Sequence, residues 1–448
     1  MGASDRVTVG VLSLHNSKES KAICNAIEAL GHRPEWLRSE NTSVEIRDGM
    51  VTLQPSVDIV ANRVLLSNSE QPCEDLGLAR TISAVRPMLN EPSAVLTAVH
   101  KFATATALAD AGIPVPDALL ALDEPTLDVA RDSFGSEAVY KTAIGTHGGG
   151  TWKVSTDDPV MPTVGQRRAF LQQLIQKGND TPRDVRVYVV GGETIGAMTR
   201  HAPAEDWRTN VALGGSVEDA SELLGTDAEQ IAQAATDCLG IDYAGIDLVE
   251  AEDGWKVLEV NPTAGFRGFF KATGVSPAPS IAALAIERAG GDVDWTTVEQ
   301  LATALDDSIP SCRPNLTSDS GTGTKAAVGL TEEIVVAGTT GNDRVIAKSD
   351  TGAKRTSIDT RLAARIGAGP IKEIARVKSG TQKTSVTRPV VDIVVGVGGT
   401  RHTVTASVED RSHMDYPVIL GRDVLTHYNV DVSRSVDDRR GEHPETEE

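Results

Sequence analysis

Cysteine, aromatic residues and long apolar runs are all scarce in this chain of 448 residues. The four cysteines (Cys24, Cys73, Cys238 and Cys312) form no C-x-x-C pair, which excludes zinc knuckles and dithiol redox motifs. Aromatic residues make up only 4% of the chain, and the five tryptophans are scattered along it, so they are expected to pack rather than to form a base-stacking surface. No apolar run approaches the roughly 18–20 residues of a membrane span, and the first strand-like run lacks a signal-peptide layout. We therefore expect a soluble, cytoplasmic protein that has no membrane partner.

Positive charge is also in short supply. Lys and Arg number 43 against 63 Asp and Glu, which gives a formal net charge of −20, and only 14 of the 43 basic residues are lysine. Proteins that track nucleic-acid phosphates usually carry a basic stripe, so no nucleic-acid partner is expected. An acidic surplus with few lysines is typical of halophilic proteins, because salt screens their self-repulsion. The alternative is an ordinary acidic cytosolic enzyme.

The pattern of apolar residues divides the chain into five segments. Residues 1–88 alternate strand-like and helix-like runs, which predicts an α/β domain, and residues 89–288 mix helices with hairpins. Residues 289–326 contain a helix and a linker rich in Pro, Ser, Thr and Gly. Residues 327–433 are rich in Val, Ile and Thr, which predicts an all-β domain. The charged residues 434–448 predict a disordered acidic tail.

Two predicted strands, Tyr243–Glu250 and Trp255–Val260, carry side chains with oxygen ligands. Asp247 lies on the first strand, Glu259 lies on the second, and Asn261 follows the second. Glu259 and Asn261 are two residues apart and therefore share a face, and Asp247 on the paired strand can lie beside them. Oxygen ligands that leave room for water and phosphate are what Mg²⁺ prefers, so a metal site is one interpretation. Ordinary acids on solvated edge strands are the other.

A glycine-rich turn follows the strand that ends near Lys141. Glycines at Gly145 and at 148–150 let backbone N–H groups approach phosphates, and the lysine adds charge. The chain has no G-x-x-x-x-G-K-[ST] motif, which excludes a Walker loop, and no G-x-S-x-G motif to support an esterase. A phosphate-binding loop and a flexible hairpin tip both fit this segment. Upstream, an Ala-rich and Leu-rich helix is predicted over Pro92–Ala111, ended by Gly112 and the proline that follows.

Taken in order, these segments resemble the ATP-grasp ligases of the RimK type, the glutamate-ligase family. The matching motifs are Lys101, Gly112–Pro116, Lys141 with its glycine loop, Gln172–Ile175, Asp184–Arg186, Arg200–Ala202, Asp206–Asn210, Gly214–Gly215, Gly245–Leu248 and Leu258–Pro262. Each motif is weak alone, and the ordered set is specific. The resemblance covers residues 1–288 and implies an α/β pre-ATP-grasp domain followed by an α+β ATP-grasp catalytic domain.

The resemblance also implies roles for individual residues. Lys101 and Lys141 contact ATP phosphates, Gln173 and Leu174 form the adenine hinge, and Asp184 lies near the ribose. The full nucleotide-binding set is Lys101, Lys141, Gly148, Gly149, Gln173, Leu174, Asp184, Arg208, Thr209 and Asn210. Asp247, Glu259 and Asn261 hold Mg²⁺ or Mn²⁺, with two ions expected. Arg200, Arg208 and Asn210 act at the reacting carboxylate, and Arg267 is a further candidate for holding it.

Two positions depart from the family pattern. Gln173 stands where an acidic residue is usual, and Arg267 stands where a glutamate is usual. The implied reaction converts a carboxylate into an acyl phosphate with ATP, and an amine then attacks it; cations neutralise the transferred phosphoryl group. The family typically adds L-glutamate to a protein or coenzyme acceptor.

The C-terminal segment contains a second resemblance. The Asp350-Thr351-Gly352 turn and the later run Val418–Asp423 resemble the retropepsin-like barrel, most closely the RimB-like family. Asp350 would be the catalytic carboxylate. Aspartic catalysis needs two carboxylates that share a proton, so activity would require a homo-oligomer. An inactive barrel used for binding or dimerisation is the alternative.

Two further functions remain open at this point. One is an aspartic-type peptidase whose N-terminal half only senses nucleotide. The other is a non-catalytic scaffold in which ATP gates a binding module. Acceptor-dependent ADP release separates the ligase from both alternatives.

Overall fold

Two units divide the chain, Met1–Leu316 and Thr317–Glu448. The computed structural model describes residues 6–69, 71–145, 150–155, 158–165, 167–175, 183–203, 207–209, 215–222, 224–314, 326–369, 371–378 and 385–436.

The first unit combines helices with three larger sheets and a hairpin. Its helices are α1 (Lys18–Ala29), α2 (Pro72–Ser83), α3 (Pro92–Val99), α4 (Lys101–Asp110), α5 (Glu124–Arg131), α6 (Thr226–Leu239), α7 (Phe266–Thr273), α8 (Ala278–Arg288) and α9 (Trp295–Ala302). Its strands are β1 (Thr8–Leu12), β2 (Arg33–Leu37), β3 (Ser43–Arg47), β4 (Met50–Gln54), β5 (Ile59–Asn62), β6 (Met88–Leu89), β7 (Ala118–Leu119), β8 (Glu137–Thr142), β9 (Thr151–Ser155), β10 (Thr163–Val164), β11 (Arg167–Gln173), β12 (Arg183–Val190), β13 (Glu193–His201), β14 (Ser216–Asp219), β15 (Tyr243–Ala251) and β16 (Gly254–Asn261).

The N-terminal sheet is parallel, in the order β2-β1-β5-β6. Its strands are buried on both faces, as parallel strands with helices on both sides must be. Val9 and Val11 share a cluster with Ile23 of α1, and Leu12 belongs to the opposite cluster, which contains Ile82 of α2. The two helices therefore lie on opposite faces of this sheet.

The second large sheet is antiparallel, in the order β14-β13-β12-β15-β16. The two paired strands expected around Asp247 are confirmed, because β15 and β16 form an antiparallel hairpin. Along β12, Val185, Val187 and Val189 join the apolar cluster that contains the alanines of α6. Strand residues alternate between faces, so the intervening Asp184 and Arg186 lie on the other face.

A smaller sheet, β10-β11-β8-β9 with β7 at β11, has its own apolar cluster. The expected single helix over Pro92–Ala111 is wrong, because the chain breaks at His100 into α3 and α4. His100 is extended (φ −88°, ψ 93°), and its side chain accepts a hydrogen bond from the Ala103 N–H. This cap starts a new helix, and Lys101 is its first residue. Lys101 pairs with Glu259 of β16.

The second unit is built around a closed barrel. Its elements are β17 (Ala327–Gly329), β18 (Thr331–Ala337), β19 (Asn342–Ser349), β20 (Ser357–Asp359), α10 (Thr360–Ile366), β21 (Ile371–Lys378), β22 (Ser385–Val397), β23 (Thr400–Glu409), β24 (Val418–Leu420), α11 (Arg422–Leu425) and β25 (Asn429–Asp431). The order β18-β19-β24-β20-β23-β22 closes through pairing of β18 with β22, and β21 extends the sheet from β22.

Residues 434–436, which the sequence assigns to the tail, are attached to this unit. Arg434 pairs with Glu332, and the Val436 N–H donates to Thr331 Oγ1 at 2.9 Å. The rest of the predicted tail lies outside the described residues, as does 315–325 of the predicted linker.

Among the described helices, none is long and apolar enough by itself to cross a membrane. The pair α7 and α8 passes that test only when joined across a 116° bend. The apolar side chains of this pair, including Phe269, Ile281 and Ile286, are buried in the core of the first unit.

Candidate active site

One face of the antiparallel sheet carries a row of opposite charges. Arg186 of β12 stands directly opposite Asp247 of β15, and Asp247 stands opposite Glu259 of β16. On the other side, Asp184 of β12 is opposite Arg200 of β13. Residues directly opposite each other on paired strands point to the same side of the sheet, so the register alone brings these five side chains together.

Hydrogen bonds join these residues into a network. Arg186 donates from Nε and Nη2 to the two oxygens of Asp247, at 2.6 and 2.8 Å. Arg200 donates in the same way to Asp184, at 2.6 and 2.8 Å, and its Nη2 also lies 2.7 Å from Asp247 Oδ2. Asp247 is 2% exposed and Arg200 is 5% exposed. Charges this deeply buried are tolerated only when paired, and each member here has at least one charged partner.

The arginines decide the protonation of Asp247. Burial by itself raises the pKa of the Asp247 carboxyl, but the charges of Arg186 and Arg200 outweigh burial and hold that pKa well below its usual range. Burial likewise works against the charged form of Arg200, and Asp247 and Asp184 outweigh it, so the pKa of Arg200 is raised. Asp247 and Arg200 are therefore both charged at neutral pH, whereas burial raises the pKa of the Asp184 carboxyl.

Two lysines approach the network from other elements. Lys101, at the start of α4, pairs with Glu259, and its backbone N–H donates to the Ala143 carbonyl at 2.8 Å. Lys141 of β8 is buried, with its ammonium 5.5 Å from the centre of the Phe170 ring. Desolvation, followed by the charge of Lys101, lowers the pKa of Lys141 to about 7. The Lys141 amine is therefore protonated in only about half of the molecules near pH 7.

The predicted nucleotide-binding residues lie on several elements. Thr209 donates through its hydroxyl to Asp184. Gln173 ends β11, where its N–H donates to the Asp117 carbonyl at 2.7 Å. Among the described residues, Gln173 Oε1 is buried without a hydrogen-bond partner, as a hinge acceptor that awaits a ligand donor would be. Leu174 follows directly, and the role of these two residues as the adenine hinge stays a prediction.

The predicted metal residues bring three oxygen-bearing side chains to neighbouring strands. Asp247 and Glu259 are cross-strand partners, and Asn261 follows two residues later with its Oδ1 3.3 Å from the Thr263 N–H. Within the described ranges, no three His, Cys, Asp or Glu side chains are grouped to hold a metal ion. Two carboxylates and an amide suit a hard cation that keeps water or phosphate ligands, so the donor set fits Mg²⁺ or Mn²⁺. Their ligation of metal stays a prediction.

Several other predicted residues are placed differently or lie outside the described ranges. Arg267, at the start of α7, donates to Asp307 from Nε at 2.8 Å and from Nη2 at 2.7 Å, an ion pair that the sequence reasoning did not foresee. Arg200 contacts two carboxylates of the protein, and its role toward a substrate carboxylate stays a prediction. Arg208 lies beside Thr209 in the short described segment 207–209. Gly148, Gly149 and Asn210 lie outside the described residues.

Sequence reasoning missed the partnership of Arg186 with Asp247. Arg186 belongs to a quoted motif, but the linear sequence does not name its partner. The signal that could have found it is the alternation of Asp184 and Arg186 in a strand that is otherwise apolar, because charges at every second position imply a charged sheet face.

The predicted catalytic acid of the second unit has a different setting. Asp350 is exposed in the turn after β19, and its Oδ1 accepts from the Gly352 N–H at 2.8 Å and the Ala353 N–H at 3.2 Å. Its backbone N–H donates to the Leu420 carbonyl at 3.0 Å, which joins the Asp-Thr-Gly turn to the Val418–Leu420 strand. The two predicted retropepsin-like motifs are therefore neighbours in the barrel.

Comparison with known proteins bears on both units. Residues 98–285 match the RimK-like ATP-grasp domain family. Residues 364–440 match the family described as retropepsin-like aspartic endopeptidase RimB, a stretch that begins after Asp350. A tetrahydromethanopterin:alpha-L-glutamate ligase of Methanocaldococcus jannaschii is 33% identical over 203 residues, which cover 44% of this chain and 68% of that protein. A probable alpha-L-glutamate ligase of Histophilus somni is 30% identical over 50% of this chain and 75% of its own length.

Solved structures agree on the fold. The ATP-grasp ligase PsnB, in a complex with a precursor variant, Mg and ADP, superposes with a TM-score of 0.51 at 20% identity, over 64% of this chain and 100% of that one. A second PsnB structure gives a TM-score of 0.50 at 21% identity, over 63% of this chain and 99% of that one. The first unit therefore has the ATP-grasp fold.

The family match, the named relatives and the fold together define an ADP-forming ligase that makes C–N bonds. The chain belongs to the RimK-like ATP-grasp family, in which its relatives are named alpha-L-glutamate ligases. It also carries a RimB-like, retropepsin-like domain.

Proposed function

We propose that the first unit joins L-glutamate, through its amino group, to a carboxylate of a protein, peptide or coenzyme acceptor. The observation that carries this proposal is the network in which Arg186, Arg200 and Lys101 face Asp184, Asp247 and Glu259, of which Asp184, Asp247 and Arg200 are buried. The three carboxylates balance these three cations, so Lys141, which is half charged near pH 7, can pair with an anionic ligand. The names of the relatives support glutamate as the added amino acid.

The proposed chemistry follows from these charges. ATP phosphorylates the acceptor carboxylate, the amine attacks the acyl phosphate, and an amide, ADP and phosphate result. Lys101 and Lys141 neutralise charge on the transferred phosphoryl group, which is the main catalytic need in phosphoryl transfer. Arg186 and Arg200 keep Asp247 ionised. A divalent cation held by Asp247, Glu259 and Asn261 would supply further charge neutralisation at the phosphates.

The remaining site residues take the roles that the family pattern gives them. Gln173 and Leu174 hold the adenine, Asp184 and Thr209 lie toward the ribose and phosphates, and Arg208 and Asn210 lie toward the reacting carboxylate. We propose one or two Mg²⁺ or Mn²⁺ ions, residues 1–88 as the pre-ATP-grasp domain and a cytoplasmic location, where ATP is supplied.

The test is ADP release in the presence of Mg²⁺, L-glutamate and candidate acceptors. Mass spectrometry of each acceptor should show additions of one glutamate residue. Glu259→Ala and Asn261→Ala should each abolish turnover, because each removes a proposed metal ligand. Wild-type turnover that survives both substitutions would overturn the metal assignment, and the absence of any glutamate-dependent ADP release would overturn the ligase proposal itself.

We propose a second activity for the second unit: trimming of glutamate tails by a dimer that pairs two Asp350 carboxylates. The family match of residues 364–440 and the closed barrel support it. A mass-spectrometric time course of a glutamate-tailed peptide tests it, with Asp350→Asn as the comparison. Trimming by the wild type that Asp350→Asn abolishes is expected. Trimming that does not depend on Asp350, or no trimming by a dimeric wild type, would contradict the proposed peptidase activity.

A further inference from the structure

The carboxyl edge of the N-terminal parallel sheet contains a site that the proposed machinery does not use. From β1 the chain passes through α1 to β2 on one side, and from β5 it passes through α2 to β6 on the other side. The connections thus diverge between the adjacent strands β1 and β5, with α1 and α2 on opposite faces. Open parallel sheets bind ligands in the crevice at such a point, beyond the carboxyl ends of the strands.

Arg63, the first residue after β5, lies at this crevice and is 3% exposed. Its Nη1 donates to the Pro262 carbonyl at 3.3 Å, and its Nη2 reaches the carbonyls of Thr263 and Ala264 at 3.3 and 3.4 Å. These contacts are longer than the distance of about 2.9–3.0 Å that is most common for N–H···O hydrogen bonds. Across the described ranges, Arg63 Nε is buried with no acceptor.

The contrast with other buried arginines is informative. In the described part of the chain, the arginines that are less than 9% exposed are Arg63, Arg200 and Arg411. Arg200 pairs with Asp184 and Asp247, and Arg411 pairs with Glu409. No described Asp or Glu forms an ion pair with Arg63, whose guanidinium carbon lies 5.2 Å from the centre of the Phe266 ring instead. A buried charge without a counter-ion is costly, and an incoming anion would relieve that cost.

The neighbours of Arg63 indicate which anion. The amino end of α1, a helix of 12 residues capped by Ser17, follows β1 at the same crevice and favours negative charge. Glu19, on the first turn of α1, approaches Gly265, next to the carbonyls that Arg63 contacts. A cationic group and a carboxylate on two sides of one crevice suit a zwitterion, whereas Glu19 would repel a phosphate.

We propose that Arg63 anchors a carboxylate subsite in the crevice between β1 and β5, and that this subsite takes a carboxylate of the amino-acid substrate. The subsite rests on the proposed ligase function and assigns it a specificity residue. Arg63 also touches the turn 262–264 that follows Asn261, so amino-acid binding there would be felt next to the proposed metal residues.

Arg63→Met, which removes the charge at similar volume, should raise the KM for L-glutamate about 10- to 100-fold, as loss of a charged hydrogen bond does. The KM for ATP should stay within about twofold, because the phosphates are held elsewhere. Arg63→Lys should recover part of the loss. Calorimetric titration of L-glutamate into the enzyme should show the same weakening without turnover.

Arg86→Met is the matched control. Arg86 also donates to two carbonyls, those of Val57 at 2.6 Å and Val85 at 2.9 Å, but it lies at the amino ends of β5 and β6. Its substitution should lower thermal stability and leave the KM for L-glutamate unchanged.

A second measurement needs no variant. The two monoamides of L-glutamate each lack one carboxylate charge, and the wild type should bind one of them at least 10-fold more weakly than L-glutamate. In Arg63→Met that difference should disappear.

Equal affinity of the wild type for L-glutamate and both amides would overturn the subsite, even if Arg63→Met failed to fold. So would a folded Arg63→Met that resembles Arg86→Met in every kinetic constant, since Arg63 would then only hold the turn. Failure of the ligase proposal is distinguishable, because it appears as wild-type enzyme that releases no ADP in response to glutamate.

Discussion

Asp247 in the first unit and Asp350 in the second are both predicted to take part in chemistry, yet their surroundings are opposite. Asp247 is 2% exposed and lies between Arg186 and Arg200. Asp350 is exposed, and the hydrogen bonds described for its carboxylate come from backbone N–H groups of its own turn. A buried carboxylate must have cationic partners within the chain, whereas an exposed turn can wait for a second molecule. The charged cluster of the first unit is therefore assembled by folding, whereas the proposed peptidase site of the second unit would be completed only by a second molecule.

Asp247→Asn should produce the largest effect, on stability and on activity together. It leaves Arg186 and Arg200 buried beside a neutral amide, so we expect a loss of about 3–5 kcal/mol in the free energy of unfolding. ADP release should fall at least about 1,000-fold, because the phosphoryl-transfer site loses both a metal ligand and its charge balance. Urea denaturation and an ADP-release assay measure the two effects. Asp253→Asn, in the exposed turn of the same β15–β16 hairpin, is the control and should change neither.

Glu259→Gln should affect activity more than stability, since Glu259 is partly exposed and faces Lys101. We expect ADP release to fall about 100-fold, as it does when one electrostatic group of an active site is removed. Mn²⁺ binding, followed by electron paramagnetic resonance, should weaken in parallel. Glu250→Gln, on β15 of the same hairpin, should bind Mn²⁺ as the wild type does. Unchanged Mn²⁺ affinity in Glu259→Gln would contradict the metal assignment.

The lowered pKa of Lys141 predicts a pH effect of intermediate size. Lys141 is half charged near pH 7 in the free enzyme, and ATP phosphates should raise its pKa. ATP binding should therefore take up a proton above pH 7, and the affinity should fall about tenfold between pH 7 and pH 8.5. Calorimetry in two buffers of different ionisation enthalpy measures the uptake. Lys141→Arg stays charged and should lose the effect. Binding by the wild type without proton uptake would refute the prediction.

The same shift has a definite sign for stability. The pKa of Lys141 is lower in the folded protein than the ordinary value of 10.5. Between about pH 7 and pH 10.5 the unfolded chain therefore binds more protons than the folded chain. The contribution of Lys141 to the free energy of unfolding should rise with pH across that window and be lowest below pH 7.

Asp350→Asn should give the smallest effect on the ligase. We expect unchanged ADP release and a stability within about 0.5 kcal/mol of the wild type, as for most exposed positions. Asp423→Ala is the contrasting variant in the same unit. Asp423 accepts from the N–H and hydroxyl of the buried Thr356, so its loss should cost about 1–3 kcal/mol. Thermal unfolding of both variants tests the contrast. A large loss of stability in Asp350→Asn would show that the Asp350 carboxylate holds its turn together.

Most of the site's membership could be predicted from the sequence, and most of its pairings could not. The alternation of Glu259 and Asn261 and the facing strand with Asp247 follow from local patterns, and the hairpin is confirmed. The pairing of Arg200 with Asp184 and Asp247 depends on the register of three strands, which no local pattern fixes. The break at His100 was missed because helix propensity over Pro92–Ala111 is high, whereas the break arises from a side-chain cap.

By itself, the sequence determined the family, the class of reaction and the identity of the charged residues, because motif order and strand alternation are properties of the linear chain. Only the tertiary structure decided which charges neutralise one another: Arg186 and Arg200 on Asp247, Lys101 on Glu259, Arg267 on Asp307. It also decided that Arg63 is buried without a carboxylate partner in the described part of the chain. The physical reason is that burial and Coulomb interaction depend on distances between strands that are far apart in sequence, and only the folded chain sets those distances.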